Sequence, residues 1–142
     1  MTPEDNKRLV RRALEEIYAK GNAELADVLV HPDFANHEPA HPDLPSGPES
    51  VKQTVERLRS SFGDLGFEVE DEIAEGDKVV QRVVMSGRHT GPLMGSEPTA
   101  REFAVRHVHI WRIADDRIVE HWGIRDDLGM LVQLGLFPAG TG

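Results

Sequence analysis

The sequence predicts an α+β fold: a cone-shaped, curved antiparallel sheet packed against N-terminal helices. Three observations carry this. Apolar residues recur at helical spacing through the early part of the chain. From residue 67 they alternate with period two between turn signals. The helical segments precede the run of hairpins instead of interleaving with it, so helices are expected on one face of the sheet. A chain of 142 residues with 39% hydrophobic residues suffices for one domain with its own core, ordered over residues 3–136 with a tail at 137–142.

The first helix opens at Thr2-Pro3-Glu4-Asp5. Threonine can cap, proline suits the first helical position, and two acids suit the positive end of the helix dipole. Leu9, Val10, Ala13, Leu14, Ile17 and Tyr18 then form one apolar stripe, and Gly21 is a stop signal. A shorter helix starts at Asn22 and ends before His31-Pro32, because a residue preceding proline is pushed out of the helical region. Residues 34–38 read as a short extended segment. Between Pro39 and Pro48 four prolines and a glycine suit neither helix interior nor central strand. This loop brings His37 and His41 to its near end as a candidate pocket rim or lid. Residues 49–62 make a third helix, with Val51, Val55, Leu58 and Phe62 on one face.

Residues 67–70 alternate like a half-exposed strand, and Ala74-Glu75-Gly76-Asp77 signals a hairpin into a valine-rich strand over 78–87. Two glycines and a proline in residues 89–95 break the ladder. Residues 101–127 then read as two long strands joined at Ala114-Asp115-Asp116-Arg117. In the first arm Val105, His107, His109 and Trp111 share one face; Arg106, Val108, Ile110 and Arg112 share the other. Neither face is cleanly polar, so both are expected to be covered. In the second arm Val119, His121, Gly123 and Arg125 share a face if the strand has no bulge. Asp126 or Asp127 caps a last helix over 128–134.

A sheet face carrying His107, His109, His121, Trp111 and Arg125 is a poor core but a good wall for a pocket that binds a polar, aromatic or enolic molecule. Imidazole titrates near neutrality, so His109 and His121 could act together as base and proton donor. His107 and His109 with His121 superficially offer three metal ligands. The net charge of −9, with no block of Lys and Arg, argues against a nucleic-acid partner. No apolar run approaches the roughly 20 residues of a membrane span. The first residues carry charges of both signs and do not resemble a secretory signal, so a cytoplasmic location is expected. Absence of cysteine removes thiol nucleophiles and disulfides. No phosphate loop, nucleophile elbow or Ser-His-Asp pattern appears.

Five stretches together carry a family resemblance: Phe34-Ala35-Asn36-His37-Glu38-Pro39; Gly47-Pro48-Glu49-Ser50-Val51; Phe67-Glu68-Val69-Glu70-Asp71; Gly87-Arg88-His89-Thr90-Gly91-Pro92-Leu93-Met94-Gly95; and His109-Ile110-Trp111-Arg112 with Ile118-Val119-Glu120-His121-Trp122. With these the chain resembles the SnoaL-like polyketide cyclases, also called ester cyclases, of the nuclear-transport-factor-2-like superfamily. The resemblance implies a deep pocket, a homodimer or larger homo-oligomer built sheet to sheet, and no metal or organic cofactor. It also implies acid/base chemistry on a hydrophobic, carbonyl-bearing small molecule; the best-known members close a ring by intramolecular aldol condensation. In those cyclases an aspartate acts as acid/base and a histidine assists. His109 stands at the histidine position, Gly123 stands where the aspartate is common, and Asp126 is the nearest carboxylate. The expected catalytic residues are therefore His109, His121 and Asp126, with His107, Trp111, Arg125, His37 and His89 binding substrate. The rival expectation is a non-catalytic module of the same fold that binds small molecules or assembles with partners.

Overall fold

The structure, a computed structural model, describes residues 1–39 and 43–137; His41 and the tail beyond Phe137 lie outside the described residues. Helix α1 (Pro3–Arg12) continues as a π-helix (Ala13–Ala19), and a 3₁₀ turn (Ala23–Leu25) leads into α2 (Ala26–Leu29). Then follow β1 (Val30–Asn36), α3 (Pro48–Ser61), β2 (Phe62–Glu75), β3 (Lys78–His89), β4 (Glu102–Ala114), β5 (Arg117–Arg125) and α4 (Asp127–Gln133). The five strands form one sheet in the order β1-β5-β4-β3-β2. β1 runs parallel to β5, and the other pairs are antiparallel. This is the expected α+β architecture of a curved sheet with N-terminal helices.

The start of α1 follows its sequence signal. The Asp5 N–H donates to the Thr2 hydroxyl at 3.1 Å and the Thr2 N–H donates to the Asp5 carboxylate at 3.0 Å, a reciprocal capping pair. An uninterrupted α-helix was expected up to Gly21, and the π-helical stretch corrects that. The Lys20 N–H reaches back five residues to the Glu15 carbonyl, at 3.1 Å. Ile17 is fully buried in this stretch, and Leu14 and Tyr18 reach the interior cavity.

Phe62 was expected on the face of the third helix but is the first residue of β2. Its backbone is extended, it pairs with His89, and its ring packs 4.9 Å from that of Phe103. β2 is accordingly longer than the expected strand at 67–70, because the whole of β3 is available to pair with it. Register shifts at Gly63/Gly66 and Val69/Asp71 bend it. The β4–β5 turn is made by Asp115 and Asp116, both left-handed (φ 53° and 61°), as a tight hairpin requires. A bulge follows directly. Ile113 faces Ile118 and Arg112 faces Glu120, so Val119 is the extra residue and both Ile118 and Val119 are buried. From His121 onward the expected inward set of His121, Gly123 and Arg125 holds.

The inner face of β4 reads Phe103, Val105, His107, His109, Trp111, Ile113, all buried. Phe103 and Val105 belong to one apolar cluster with Phe62, Met85 and Leu134. Trp111 and Ile113 belong to another, with Val10, Ile17, Phe34, Val51, Val55 and Ile118. The two histidines fall between these clusters. Among the described residues no element of this chain covers the opposite face, where Val108 and Ile124 are 41% and 71% exposed. No helix among the described residues is long and apolar enough to cross a membrane.

Candidate active site

Between the two apolar clusters lies a cavity of about 80 Å³, walled on the sheet side by His107, His109, Trp111, His121 and Arg125 and on the helix side by Leu14, Tyr18, Thr54 and Leu58. Phe67, Met85 and Asn36 complete the lining. His109 and Gly123 are direct cross-strand partners, and so are Trp111 and His121. His121 therefore reaches His109 diagonally, across the space above Gly123.

The two imidazoles are hydrogen-bonded, His109 Nδ1 to His121 Nε2 at 2.8 Å, and His121 Nδ1 continues to Asn36 Oδ1 at 2.8 Å. Parallel pairing of β1 with β5 puts Asn36 opposite His121. The Asn36 oxygen also accepts the Glu38 N–H at 3.0 Å, which fixes the orientation of its amide. The proton positions follow. An oxygen facing His121 Nδ1 requires that nitrogen to carry the hydrogen, so a neutral His121 accepts at Nε2. His109 must then donate from Nδ1, and its Nε2 keeps the lone pair.

Both rings are neutral. Burial first, and then the charge of Arg125, lower the His121 pKa to about 3. Burial, followed by His121, His107 and Arg125, holds His109 well below its usual value. His107, whose ring lies 5.3 Å from that of His109, is lowered to about 4 by burial and then by Arg125.

Gly123 makes this pairing possible. A Cβ there would stand 2.9 Å from His109 Nδ1 and 3.0 Å from both His121 Cε1 and His121 Nε2. Trp111 is held by a polar chain running outwards. Its indole N–H donates to Gln81 Oε1 at 2.9 Å, Gln81 donates to Glu72 at 2.9 Å, and Glu72 pairs with Arg11. Arg125 donates to the Glu38 carbonyl at 3.0 Å and lies 3.9 Å from the Asp127 carboxylate. Two imidazole nitrogens that already share one hydrogen bond are committed to each other, and the described residues contain no group of three or more His, Cys, Asp or Glu placed to hold a metal ion.

The model of the SnoaL-like polyketide cyclase family matches residues 8–134. The chain belongs to that family. It is 35% identical to the nogalonic acid methyl ester cyclase of Streptomyces nogalater over 116 residues, covering 81% of this chain and 87% of the relative. It is 33% identical to the aklanonic acid methyl ester cyclase of Streptomyces peucetius over 130 residues, 89% of this chain and 88% of the relative. Among solved structures it resembles that of TsrD from Streptomyces laurentii, with a TM-score of 0.86 and 30% identity over 96% of this chain and 99% of the other.

In this SnoaL-like chain the expected site residues divide. His107, His109, His121, Trp111 and Arg125 are brought together at the cavity; His37, His89 and Asp126 are not among its lining residues. His37 lies on the other side of β5, stacked 4.9 Å from Trp122 and bonded to Glu120 at 2.7 Å. His89 is wholly buried at the end of β3, next to Phe62, with Nδ1 accepting the Thr99 N–H at 3.0 Å. Asp126 is exposed and caps α4 by accepting the Gly129 N–H at 2.8 Å. The chain leaves β5 for α4 after Arg125, which puts Asp126 at the helix cap and outside the cavity lining. Asn36 and Tyr18 were missed. Asn36 needed the parallel pairing of β1, and Tyr18 read as one more apolar position of a helical stripe.

Proposed function

We propose that the protein is a cofactor-independent acid/base enzyme that closes a ring in a hydrophobic, carbonyl-bearing small molecule, a polyketide-type methyl ester such as its relatives' names carry. The Asn36–His121–His109 chain carries this reading, because it leaves an unprotonated His109 Nε2 on a residue that lines the cavity. His109 takes a proton from a carbon next to a carbonyl. The resulting enolate attacks a second carbonyl of the same molecule, forming the C–C bond, and the new alkoxide recovers the proton from His109. His121, fixed by Asn36, accepts from His109 Nδ1 throughout and steadies the imidazolium formed in between. An imidazole held far below its usual pKa is a weak base, so the abstracted proton sits on an acidic carbon, one flanked by two carbonyls.

A cavity of about 80 Å³ is small beside the roughly 300–1,000 Å³ of ordinary ligand sites, so it encloses the reacting part of the molecule and not the whole. Val108, Ile110, Trp122 and Ile124, neighbours on the uncovered sheet face, are proposed to pack against a second copy in a homodimer. Incubation with such a methyl ester, followed by chromatography, tests the function. Ring closure that persists in the presence of chelator supports it, whereas binding without conversion favours a non-catalytic pocket.

A further inference from the structure

The two walls of the cavity differ chemically. The sheet wall carries the neutral imidazoles, and the cavity lining contains a single charged side chain, Arg125, and no carboxylate. The helix wall carries Tyr18, presented by the π-helical stretch. Its ring is fixed by edge contacts, 6.1 Å from Phe67 and 6.4 Å from Trp111. Its hydroxyl takes part in none of the hydrogen bonds among the described residues, and the residue lines the cavity. Burial raises the Tyr18 pKa beyond its ordinary value while the Arg125 charge opposes this, so the group is an O–H donor within the field of that guanidinium.

Proton abstraction by a neutral base leaves a negative charge on the substrate. When the C–H bond breaks, the proton goes to His109 Nε2 and the electron pair spreads onto the carbonyl oxygen. That oxygen needs a donor that was oriented beforehand. We propose that Tyr18, across the cavity from His109, and Arg125, on His109's own wall, form an oxyanion-binding pair, the Tyr18 hydroxyl donating to the enolate oxygen and the guanidinium balancing its charge. The site then selects compact enolisable groups that bind as oxygen anions. On ring closure the electron pair forms the new C–C bond, and the oxygen at Tyr18 returns to a neutral carbonyl. This rests on the acid/base reading for the origin of the charge, but anion binding can be measured without turnover.

The test uses 4-nitrophenol, whose phenol and phenolate forms absorb differently, titrated below its solution pKa. 4-Nitroanisole, the same ring without an acidic oxygen, is the control for an intact cavity. The parent protein should bind the phenolate form preferentially. Tyr18→Phe and Arg125→Gln should each weaken that preference about ten-fold or more while binding 4-nitroanisole like the parent. Tyr18→Phe keeps the ring and its contacts, so it remains informative if Arg125→Gln fails to fold. Capture of 4-nitrophenol as the neutral phenol, parent-like phenolate binding by Tyr18→Phe, or no binding of 4-nitrophenol would overturn the proposal. Phenolate binding by a His109→Gln protein that turns over at the parent rate would leave the oxyanion pair standing and refute only the assignment of the base.

Discussion

His109 Nδ1 and His121 Nε2 stand 2.8 Å apart because the residue beneath them, Gly123, has no side chain. Adding even a methyl group there places an atom within 2.9–3.0 Å of both rings, a separation that ordinary packing does not tolerate. Gly123→Ala is therefore expected to part the imidazoles, lowering turnover by roughly 10²-fold or more, at a stability cost of about 1–3 kcal/mol. Nitrogen NMR of the imidazoles checks this, since the shared hydrogen bond should disappear. Gly123→Asp should fail to raise activity for the same steric reason.

Stability should depend on pH in a window set by the histidines. Their folded pKa values lie below the unfolded value of 6.5, at about 4 for His107 and about 3 for His121. Between these limits the unfolded chain binds more protons, so stability falls as pH falls and is level above about pH 7. The lowered carboxylate of Glu120 adds the same sign of effect, but only at lower pH, beginning near the ordinary carboxylate value of 4.5. The melting temperature should therefore already drop between pH 6.5 and 5, and His107→Gln should flatten that limb.

Residues outside the cavity should separate stability from chemistry. Asp126→Asn keeps a capping side chain and should leave both unchanged, whereas Asp126→Ala should cost about 1 kcal/mol with turnover retained. His89→Ala removes a fully buried ring and should destabilise by about 2–4 kcal/mol, while kcat for the folded fraction stays at the parent value. Substantial loss of kcat in Asp126→Asn would return it to the catalytic set.

The uncovered sheet face gives an assembly prediction. Val108 and Ile124 are cross-strand partners, as are Ile110 and Trp122. Light scattering should find a dimer of the 15.8 kDa chain, and Val108→Asp with Ile124→Asp should leave a monomer. A monomeric parent would contradict the proposed dimer.

The parts of the fold visible in the sequence are those governed by local rules. Thr2 with Asp5 marks a helix start, Asp115-Asp116 marks a turn, and alternation along β4 put His107, His109 and Trp111 on one face. Less visible was anything set by pairing between distant segments. Phe62 fits a helical stripe as well as a strand, and only its partner His89 decides between them. Asn36 is the last residue of β1 and His37 follows it, but parallel pairing with β5 aims Asn36 at His121, while His37 lies against Trp122 and Glu120 on the other side. His89 stands on the inner face of β3 as the other buried residues do, yet at a strand end filled by Phe62 and Phe103. The π-helical stretch that presents Tyr18 has no residue signature comparable to a cap or a turn.

In the proposed reaction His109 is the base. Its most direct test is the rate of ring closure, with exchange of the acidic C–H for solvent deuterium, in parent and His109→Gln proteins at neutral pH. The expected result is a fall of roughly 10²- to 10⁴-fold in both rates with a retained melting temperature. A folded His109→Gln protein that exchanges and cyclises at the parent rate would contradict it.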